Sequence, residues 1–188
     1  MRIILEGLTG TGKSHTLSAL QRLHLAPSLI VPEEETFGDL MAELATAPLE
    51  PEVLVRRLRT VCDGLPRDRS QGFILERFHL SYFALVPAWS FYEAIDAELA
   101  ELGISIVLLT LPEEALETRS FRREEHDGAD WQNLAAHYGS SDKAMVALQT
   151  SRARRLEALK YTRLRHSVID TGDKDWDRYA KAIAANEG

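Results

Sequence analysis

Five short apolar runs recur along the chain, and longer segments with a different spacing of apolar residues separate them. The runs are hydrophobic almost without interruption, a pattern typical of parallel strands that are covered on both faces of a sheet. We therefore predict five buried strands, at Arg2–Glu6, Ser28–Val31, Gly72–Glu76, Ile104–Leu111 and Ser167–Asp170.

The segments between these runs predict helices, because their apolar residues recur at three- and four-residue spacing. Gly103 follows one such segment as a helix-terminating glycine, and Pro112 stands near the first position of another. The predicted helices are Thr16–Leu25, Asp39–Ala47, Pro51–Cys62, Ala88–Leu102, Glu113–Arg123, Ser141–Tyr161 and Asp175–Asn186. Strands that alternate with helices in this way predict an α/β fold with a parallel sheet.

The length and charge of the chain limit the number of domains and the classes of partner that we expect. With 188 residues and no repeat or linker, the chain is expected to form a single domain, 1–188. Its formal net charge of −7 argues against nucleic acid as a partner. No apolar run is long enough to cross a membrane, and the chain begins with a strand rather than a secretory signal, so we expect a cytoplasmic protein. Cys62 is the only cysteine, and we expect it in the core near a helix end.

Residues 7–14 read GLTGTGKS and match the Walker A phosphate-binding loop, G-x-x-x-x-G-K-S/T. A strand is predicted before this loop and a helix after it, which is the expected context and disfavours a glycine-rich turn without a ligand. In the motif, backbone N–H groups surround the phosphates, Lys13 reaches the β- and γ-phosphates, and the Ser14 hydroxyl holds Mg²⁺. The predicted nucleotide-binding residues are Gly7, Thr9, Gly10, Thr11, Gly12, Lys13, Ser14 and His15.

Acidic residues follow two of the predicted strands at their carboxyl ends. Glu33, Glu34 and Glu35 follow the second strand. One of them is a candidate general base for an acceptor hydroxyl, although a solvated acidic turn explains the pattern equally well. Glu76 ends the third strand, where a carboxylate binds Mg²⁺ directly or through water, and the neighbouring Arg77 is a candidate for holding a phosphate or the reacting oxygen. Alternatively, Glu76 and Arg77 form an ion pair at the end of the strand and bind no ligand.

An arginine-rich segment lies between the fourth predicted strand and the long helix predicted at 141–161. Arg119, Arg122 and Arg123 are candidates for a lid, at about 119–130, that neutralises the charge of a phosphoryl group during transfer. An exposed helix face with arginine–glutamate pairs has the same pattern without binding phosphate. The phosphate-binding loop elsewhere in the chain favours the lid.

Two further clusters are interpreted as structural. Aromatic residues between positions 78 and 92 are expected to belong mainly to the core, with one wall of a pocket for a planar ligand as the alternative. They are Phe78, Tyr82, Phe83, Trp89, Phe91 and Tyr92. The basic stretch Arg152–Arg155 lies on a predicted helix, and we expect it to form a solvated face.

In order along the chain, these motifs resemble the deoxynucleoside kinase and thymidylate kinase family. The resemblance rests on Leu5-Glu6-Gly7 with the phosphate-binding loop, Val31-Pro32-Glu33, Glu76-Arg77-Phe78, Arg119–Glu125 and Val168–Thr171. It implies a P-loop NTPase fold, a three-layer sandwich around a five-stranded parallel sheet of order 2-3-1-4-5. It also implies that Glu33 is the general base, Glu76 helps to hold Mg²⁺ and Arg77 orients the acceptor. The clamp on the phosphates would then be formed by Arg119, Arg122 and Arg123.

The motifs together predict an enzyme, a small-molecule kinase that transfers a γ-phosphoryl group to an acceptor. The resemblance implies ATP with Mg²⁺ as the donor and a nucleoside or nucleoside monophosphate as the first-choice acceptor. Glu34 and Phe78 stand where that family has proline and serine. Two alternatives stay open, a kinase for another metabolite on the same fold and a nucleotide-binding regulator without an acceptor. A homodimer that uses the segment Ala88–Leu102 is also considered.

Overall fold

The computed structural model describes residues 1–38, 40, 50–120 and 138–186. The strands in these residues are β1 (Arg2–Gly7), β2 (Leu29–Val31), β3 (Phe73–Glu76), β4 (Ser105–Thr110) and β5 (Arg165–Asp170). They form one parallel sheet in the spatial order β2-β3-β1-β4-β5. This sheet and its strand order confirm the predicted α/β fold.

Helices join the strands and pack on the sheet. They are α1 (Lys13–Arg22), α2 (Glu33–Thr36), α3 (Pro51–Asp63), α4 (His79–Leu85), α5 (Glu93–Glu101), α6 (Glu113–Ser120), α7 (Ser141–Ala158) and α8 (Trp176–Asn186). The helix predicted at Asp39–Ala47 lies almost wholly outside the described residues, as does the end of the one predicted at Glu113–Arg123. No helix in the described ranges has the length and apolar character needed to span a membrane.

The central strand β1 is fixed by apolar packing on both of its faces. All six of its residues are buried. Because successive side chains of a strand point to opposite faces, Ile4 packs in the core that includes α3, α4 and α5, while Ile3 and Leu5 pack in the core with α1 and α8. Each fully buried side chain of this size contributes about 1.5–3 kcal/mol relative to exposure. The end of β1, where the phosphate-binding loop begins, is therefore held firmly.

The prediction of one helix over Ala88–Leu102 is wrong in its first part. Val86 and Ala88 are extended, and a short 3₁₀ turn at Trp89–Phe91 precedes α5. Pro87 accounts for the extended conformation of Val86, because a residue that precedes proline is driven out of the helical region. The chain therefore enters this segment from extended residues rather than from a helical turn. The glycine predicted to end this helix, Gly103, does have the positive φ of 69° that such a position requires.

Helix α4 was not predicted from the sequence. Six of its seven residues are buried, so it has no polar face that would give an amphipathic pattern. The aromatic residues around it are mainly core residues, as expected. Phe78, Tyr82, Phe83 and Tyr92 are buried, and Trp89 and Phe91 are partly buried and pack against the same core. Cys62 is also buried in the core near the end of α3.

Candidate active site

The phosphate-binding loop joins the central strand β1 directly to α1, which begins at Lys13, three residues earlier than predicted. Gly10 and Gly12 have φ angles of 89° and 85°, in the region that side chains disfavour. A Cβ atom on Gly10 would lie 2.4 Å from the Arg119 carbonyl oxygen, and one on Gly12 would lie 2.3 Å from the indole of Trp176. Both glycines are thus required by backbone conformation and by neighbours that approach the loop closely.

Lys13 is buried beside this loop, with a carbonyl and a carboxylate close to its ammonium group. The side chain is 8% exposed, donates a hydrogen bond to the Gly7 carbonyl at 3.3 Å and lies 3.4 Å from the Glu33 carboxylate. Burial, followed by the charge of Arg77, lowers the pKa of Lys13 to about 7. A buried cation in this position favours an anionic ligand, because an added negative charge would restore the charged form. The residues present therefore fit the phosphates of a nucleotide.

Glu33 and Arg77 meet at the mouth of the loop. Glu33 starts α2 after β2, and its Oε2 lies 2.9 Å from the Arg77 Nε. Arg77 also donates a hydrogen bond from Nη2 to the Thr9 hydroxyl at 3.1 Å. The other two acidic residues of the predicted cluster, Glu34 and Glu35, are both exposed. Among the three candidate bases, Glu33 is therefore the one that faces the loop lysine.

The backbone of Arg77 is strained. Its φ of 52° is left-handed, a conformation that costs a non-glycine residue about 1–3 kcal/mol and persists only when surrounding contacts enforce it. Hydrogen bonds of two successive backbone N–H groups, those of Arg77 and Phe78, hold this conformation. The Arg77 N–H donates to the Leu5 carbonyl at 3.0 Å, and the next N–H, of Phe78, donates to the Glu6 carboxylate at 2.8 Å.

Glu6 and Arg155 form a buried ion pair below this site. Glu6 accepts hydrogen bonds from the Ser81 N–H at 3.1 Å and the Ser81 hydroxyl at 2.7 Å, and its Oε2 lies 3.7 Å from the Arg155 Nε. Arg155 also donates to the Ser81 hydroxyl at 3.0 Å. The start of α4, and with it the turn at Arg77, is therefore tied to the last residue before the loop.

The prediction that Arg152–Arg155 forms a solvated face is wrong. Arg155 is 3% exposed, and burial, partly opposed by the charge of Glu6, lowers its pKa to about 10. Arg152 donates a hydrogen bond to the Thr110 hydroxyl at 3.2 Å, and Arg154 donates one to the Ala84 carbonyl at 2.8 Å. The exposed residue of this stretch is Ala153, which carries no charge. The physical reason is that consecutive helix positions point in different directions around α7, so the three arginines cannot share one solvated face.

Ser14 and Glu76 carry the oxygen atoms predicted to hold Mg²⁺. Ser14 is exposed at the second position of α1, and Glu76 ends β3, where burial raises the pKa of its carboxyl group and the charge of Lys13 opposes that rise. A hydroxyl and a carboxylate are ligands of the kind that Mg²⁺ prefers. In the part of the chain that the structure describes, no group of three or more acidic, histidine or cysteine side chains is close enough to hold a metal ion.

Arg119 contacts the loop at Gly10, whereas Glu33 lies beside Lys13. It donates hydrogen bonds to the carbonyls of Thr171 and Gly10, both at 3.0 Å, and its guanidinium lies 5.5 Å from the centre of the Trp176 ring. His15, which follows the loop on α1, stacks on the same indole, with ring centres 5.0 Å apart. Arg122, Arg123 and the remainder of the predicted lid lie outside the described residues.

The junction between β5 and α8 is bound to the phosphate-binding loop. The buried Thr171 hydroxyl donates to the Thr11 carbonyl at 2.8 Å, and the Thr171 N–H donates to the Thr110 carbonyl at 3.0 Å. Thr11 in turn donates its hydroxyl hydrogen to the Leu8 carbonyl at 2.8 Å. The family resemblance implies that the loop after Val168–Thr171 lies near the nucleotide. The sequence predicts neither these hydrogen bonds nor a role for Trp176, because residues so far apart along the chain have no local pattern that relates them.

Comparison with protein-family models found no match, and neither did comparison with curated protein sequences. Solved structures do match the fold. The YorR protein from Bacillus subtilis, in complex with phosphorylated GDP, matches with a TM-score of 0.65 and 17% identity over 99% of this chain and 95% of that one. A gluconokinase from Sinorhizobium meliloti 1021 matches with a TM-score of 0.57 and 18% identity over 98% and 91%. A sugar kinase from Janibacter sp. HTCC2649 matches with a TM-score of 0.59 and 16% identity over 96% and 92%.

These likenesses concern the fold, since the identities are low. They extend over nearly the whole of each chain, and two of the three proteins are named as kinases of sugars or sugar acids. None of the three supports the deoxynucleoside kinase and thymidylate kinase family in particular, so that narrower resemblance stays a prediction. With the Walker A sequence at the end of the central strand, the matches show that this chain has the P-loop fold.

Proposed function

We propose that this protein is a small-molecule kinase that transfers the γ-phosphoryl group of ATP to a hydroxyl group of an acceptor. The observation that carries the proposal is the meeting of a carboxylate and two cations at the mouth of the phosphate-binding loop. Glu33 lies 3.4 Å from Lys13 and 2.9 Å from Arg77. A protein that only binds a nucleotide has no need of a base and an arginine held at this place.

The transfer needs one proton acceptor and several positive charges. In the proposed step the acceptor hydroxyl gives its proton to Glu33 while its oxygen forms a bond to the γ-phosphorus. The bond from that phosphorus to the β,γ-bridging oxygen breaks, and ADP leaves with the oxygen and its electron pair. Lys13 and Arg77 are close enough to Glu33 to stabilise the negative charge that spreads over the phosphoryl oxygens.

Positioning is the other part of the mechanism. The strained turn at Arg77, tied to β1 by backbone and Glu6 contacts, fixes the arginine before any ligand arrives. Groups that are held in place in advance need no reorganisation during reaction. Mg²⁺ would be held by the Ser14 hydroxyl and the Glu76 carboxylate, and it would neutralise part of the phosphate charge.

For the acceptor we propose two candidate chemical classes. A nucleoside or nucleoside monophosphate is supported by the order of short motifs along the chain, among them Glu76-Arg77-Phe78. A sugar or sugar acid is supported by the names of two proteins with a similar fold, a gluconokinase and a sugar kinase. A nucleoside, a sugar and a sugar acid each offer a hydroxyl group to Glu33, so for them the reaction is the same and only the pocket differs. A nucleoside monophosphate would accept the phosphoryl group on a phosphate oxygen, which needs no general base.

A pair of glutamine variants tests the role of Glu33. With the acceptor that best stimulates ADP release, we expect Glu33→Gln to lower kcat by about a hundredfold, the usual size of a general-base contribution. Glu35→Gln is the matched control, because Glu35 is an exposed carboxylate two residues away. It should transfer at the wild-type rate, and both variants should bind Mg·ADP like the wild type. Equal activity of the two variants would show that Glu33 is not the base.

A further inference from the structure

The sheet ends at β2 on one side and at β5 on the other, and these two edge strands differ in length. β2 has three residues and lies between Pro27 and Pro32, whereas β5 has six residues and contains no proline. Short strands and prolines are common means of preventing an edge strand from pairing with another chain. β5 has neither protection, and within the described residues no strand pairs with its outer edge.

The register of β5 shows which of its backbone groups point outward. β5 pairs with β4 in parallel over its whole length. At the end of this ladder, the Thr171 N–H donates to the Thr110 carbonyl at 3.0 Å. Because successive residues of a strand direct their N–H and C=O groups to opposite edges, the odd-numbered residues of β5 point toward β4. His166, Val168 and Asp170 therefore direct their backbone groups away from the sheet.

The side chains of these same three residues lie on one face of the sheet, because side chains alternate between the faces along a strand. All three are exposed, and 45% of Val168 is accessible to solvent. The strands of a parallel sheet are usually covered on both faces, as the central strand β1 is. His166, Val168 and Asp170 therefore form an uncovered surface with unpaired backbone groups, and we call it the β5 edge.

The β5 edge is complementary to a second copy of itself. In an antiparallel pairing about a two-fold axis at Val168, each Val168 lies opposite the other, and each His166 lies opposite the Asp170 of the other copy. Opposite residues in antiparallel strands share a face, so an apolar contact is flanked on both sides by a histidine–carboxylate pair. Each of these opposite pairs also exchanges two backbone hydrogen bonds, since its N–H and C=O groups point outward.

The side chains select this register over its neighbours. A shift by one residue would bring side chains of opposite faces together, which the pleat of the sheet does not allow. A shift by two residues would keep the backbone hydrogen bonds but would place Val168 opposite a histidine or an aspartate. Both charged partners have an atom to spare. His166 Nδ1 lies 3.2 Å from the Leu164 carbonyl oxygen, and Asp170 Oδ1 accepts from the Gly172 N–H at 2.8 Å, which leaves Nε2 and Oδ2 for the second copy.

We propose that the β5 edge is the interface of a symmetric homodimer, in which the sheets of two copies join edge to edge into one continuous sheet. The proposal does not depend on the proposed kinase activity. It differs from a dimer formed through the segment Ala88–Leu102, where Ile95 and Leu99 are buried in the core of their own chain. The occupant of the β5 edge is thus a second copy of this chain, recognised by strand pairing and by matched charges.

A pair of lysine variants tests the interface by sedimentation equilibrium. The mass of the wild type should rise with concentration from that of one chain toward that of two, with a Kd on the order of 10–100 µM because the paired surface is small. Val168→Lys places two ammonium groups opposite each other on the two-fold axis and should weaken association by about tenfold or more. Val146→Lys is the matched control, because Val146 is 61% exposed on α7, and it should associate like the wild type.

A second pair of variants tests the contact between His166 and Asp170. His166→Asp places carboxylates opposite each other in two symmetry-related pairs and should weaken association about tenfold. His166→Lys keeps a cation opposite each carboxylate and should associate at least as tightly as the wild type. His24→Asp and His24→Lys make the same changes in net charge at another exposed histidine, and the two should differ little in association.

Amide hydrogen exchange followed by NMR identifies the interface without any substitution. The N–H groups of His166 and Val168 should gain protection as the protein concentration rises, because they are bonded only in the dimer. Those of Ser167 and Ile169 point toward β4 and should be protected at every concentration. This alternation along β5 is specific to strand pairing at its outer edge.

Three results would overturn the proposal. They are a wild-type protein that stays a monomer up to about 1 mM, equal association of Val168→Lys and Val146→Lys, or concentration-dependent protection in the segment Ala88–Leu102 with none in β5. Circular dichroism checks that the variants are folded. A dimer that Val168→Lys weakens, His166→Lys retains and the alternating amides of β5 report is the result that the proposal requires.

Discussion

The buried arginine of α7 gives the sharpest stability prediction. Arg155 is 3% exposed and Glu6 is fully buried, so Arg155→Met leaves an ionised carboxylate inside the protein without its cation. Removal of one partner from a buried ion pair costs about 3–5 kcal/mol. Glu6 keeps three hydrogen bonds, from Phe78 and from the N–H and hydroxyl of Ser81, which points to the lower end of that range. We therefore expect a loss of about 3 kcal/mol, or about 6–12 °C in melting temperature for a chain of this size.

Urea unfolding followed by circular dichroism measures this change. Arg56→Met is the matched control, because it makes the same substitution at an exposed position of another helix, α3, and it should alter the free energy of unfolding by less than about 0.5 kcal/mol. The double variant Glu6→Gln with Arg155→Met removes the stranded charge and should recover about 1 kcal/mol or more. If Arg155→Met and Arg56→Met unfold at the same urea concentration, the buried ion pair does not stabilise the protein and the reasoning is refuted.

Two further predictions concern the phosphate-binding loop. Burial lowers the pKa of Lys13 to about 7, and bound phosphates should raise it again. At pH 8, nucleotide binding should therefore take up close to one proton, and nucleotide affinity should fall as the pH rises above 7. Calorimetry in buffers of different ionisation enthalpy measures this proton uptake, and binding without proton uptake would contradict the prediction. Gly10→Ala should destabilise the protein by clearly more than Gly139→Ala, although both glycines have positive φ. A Cβ on Gly10 would lie 2.4 Å from the Arg119 carbonyl oxygen, whereas one on Gly139 would meet none of the residues that the structure describes within 4 Å. Equal urea midpoints would show that the close approach at Gly10 is absent.

The sheet and the phosphate-binding loop were predictable because their signals are local. A strand that is buried on both faces needs a continuous apolar run, and β1, β3 and β4 have one. The loop needs two glycines, a lysine and a hydroxyl at fixed spacing, all of them within eight residues. The strand order followed from the family resemblance, since a parallel pattern alone allows several orders.

The contacts around the loop were not predictable in the same way. Arg155 shares one face of α7 with the buried residues Leu148 and Ala144, at spacings of seven and eleven residues, and this helical spacing is a signal that indicates burial. The charge of Arg155 favours an exposed side chain, and its ion pair with the buried Glu6 explains why the side chain points into the protein. The contact between Trp176 and Gly12 has no local signal, because it arises when α8 packs beside α1.

The most direct test of the kinase proposal is a coupled ADP-release assay with Mg·ATP and a panel of acceptors. The panel contains nucleosides, nucleoside monophosphates, sugars and sugar acids, and Glu33→Gln is run beside the wild type. We predict strong stimulation of ADP release by one acceptor class in the wild type, with loss of that stimulation in Glu33→Gln. Intact Mg·ATP binding with no stimulation by any acceptor, and the same slow hydrolysis in both proteins, would contradict a kinase and would favour a regulator that binds the nucleotide.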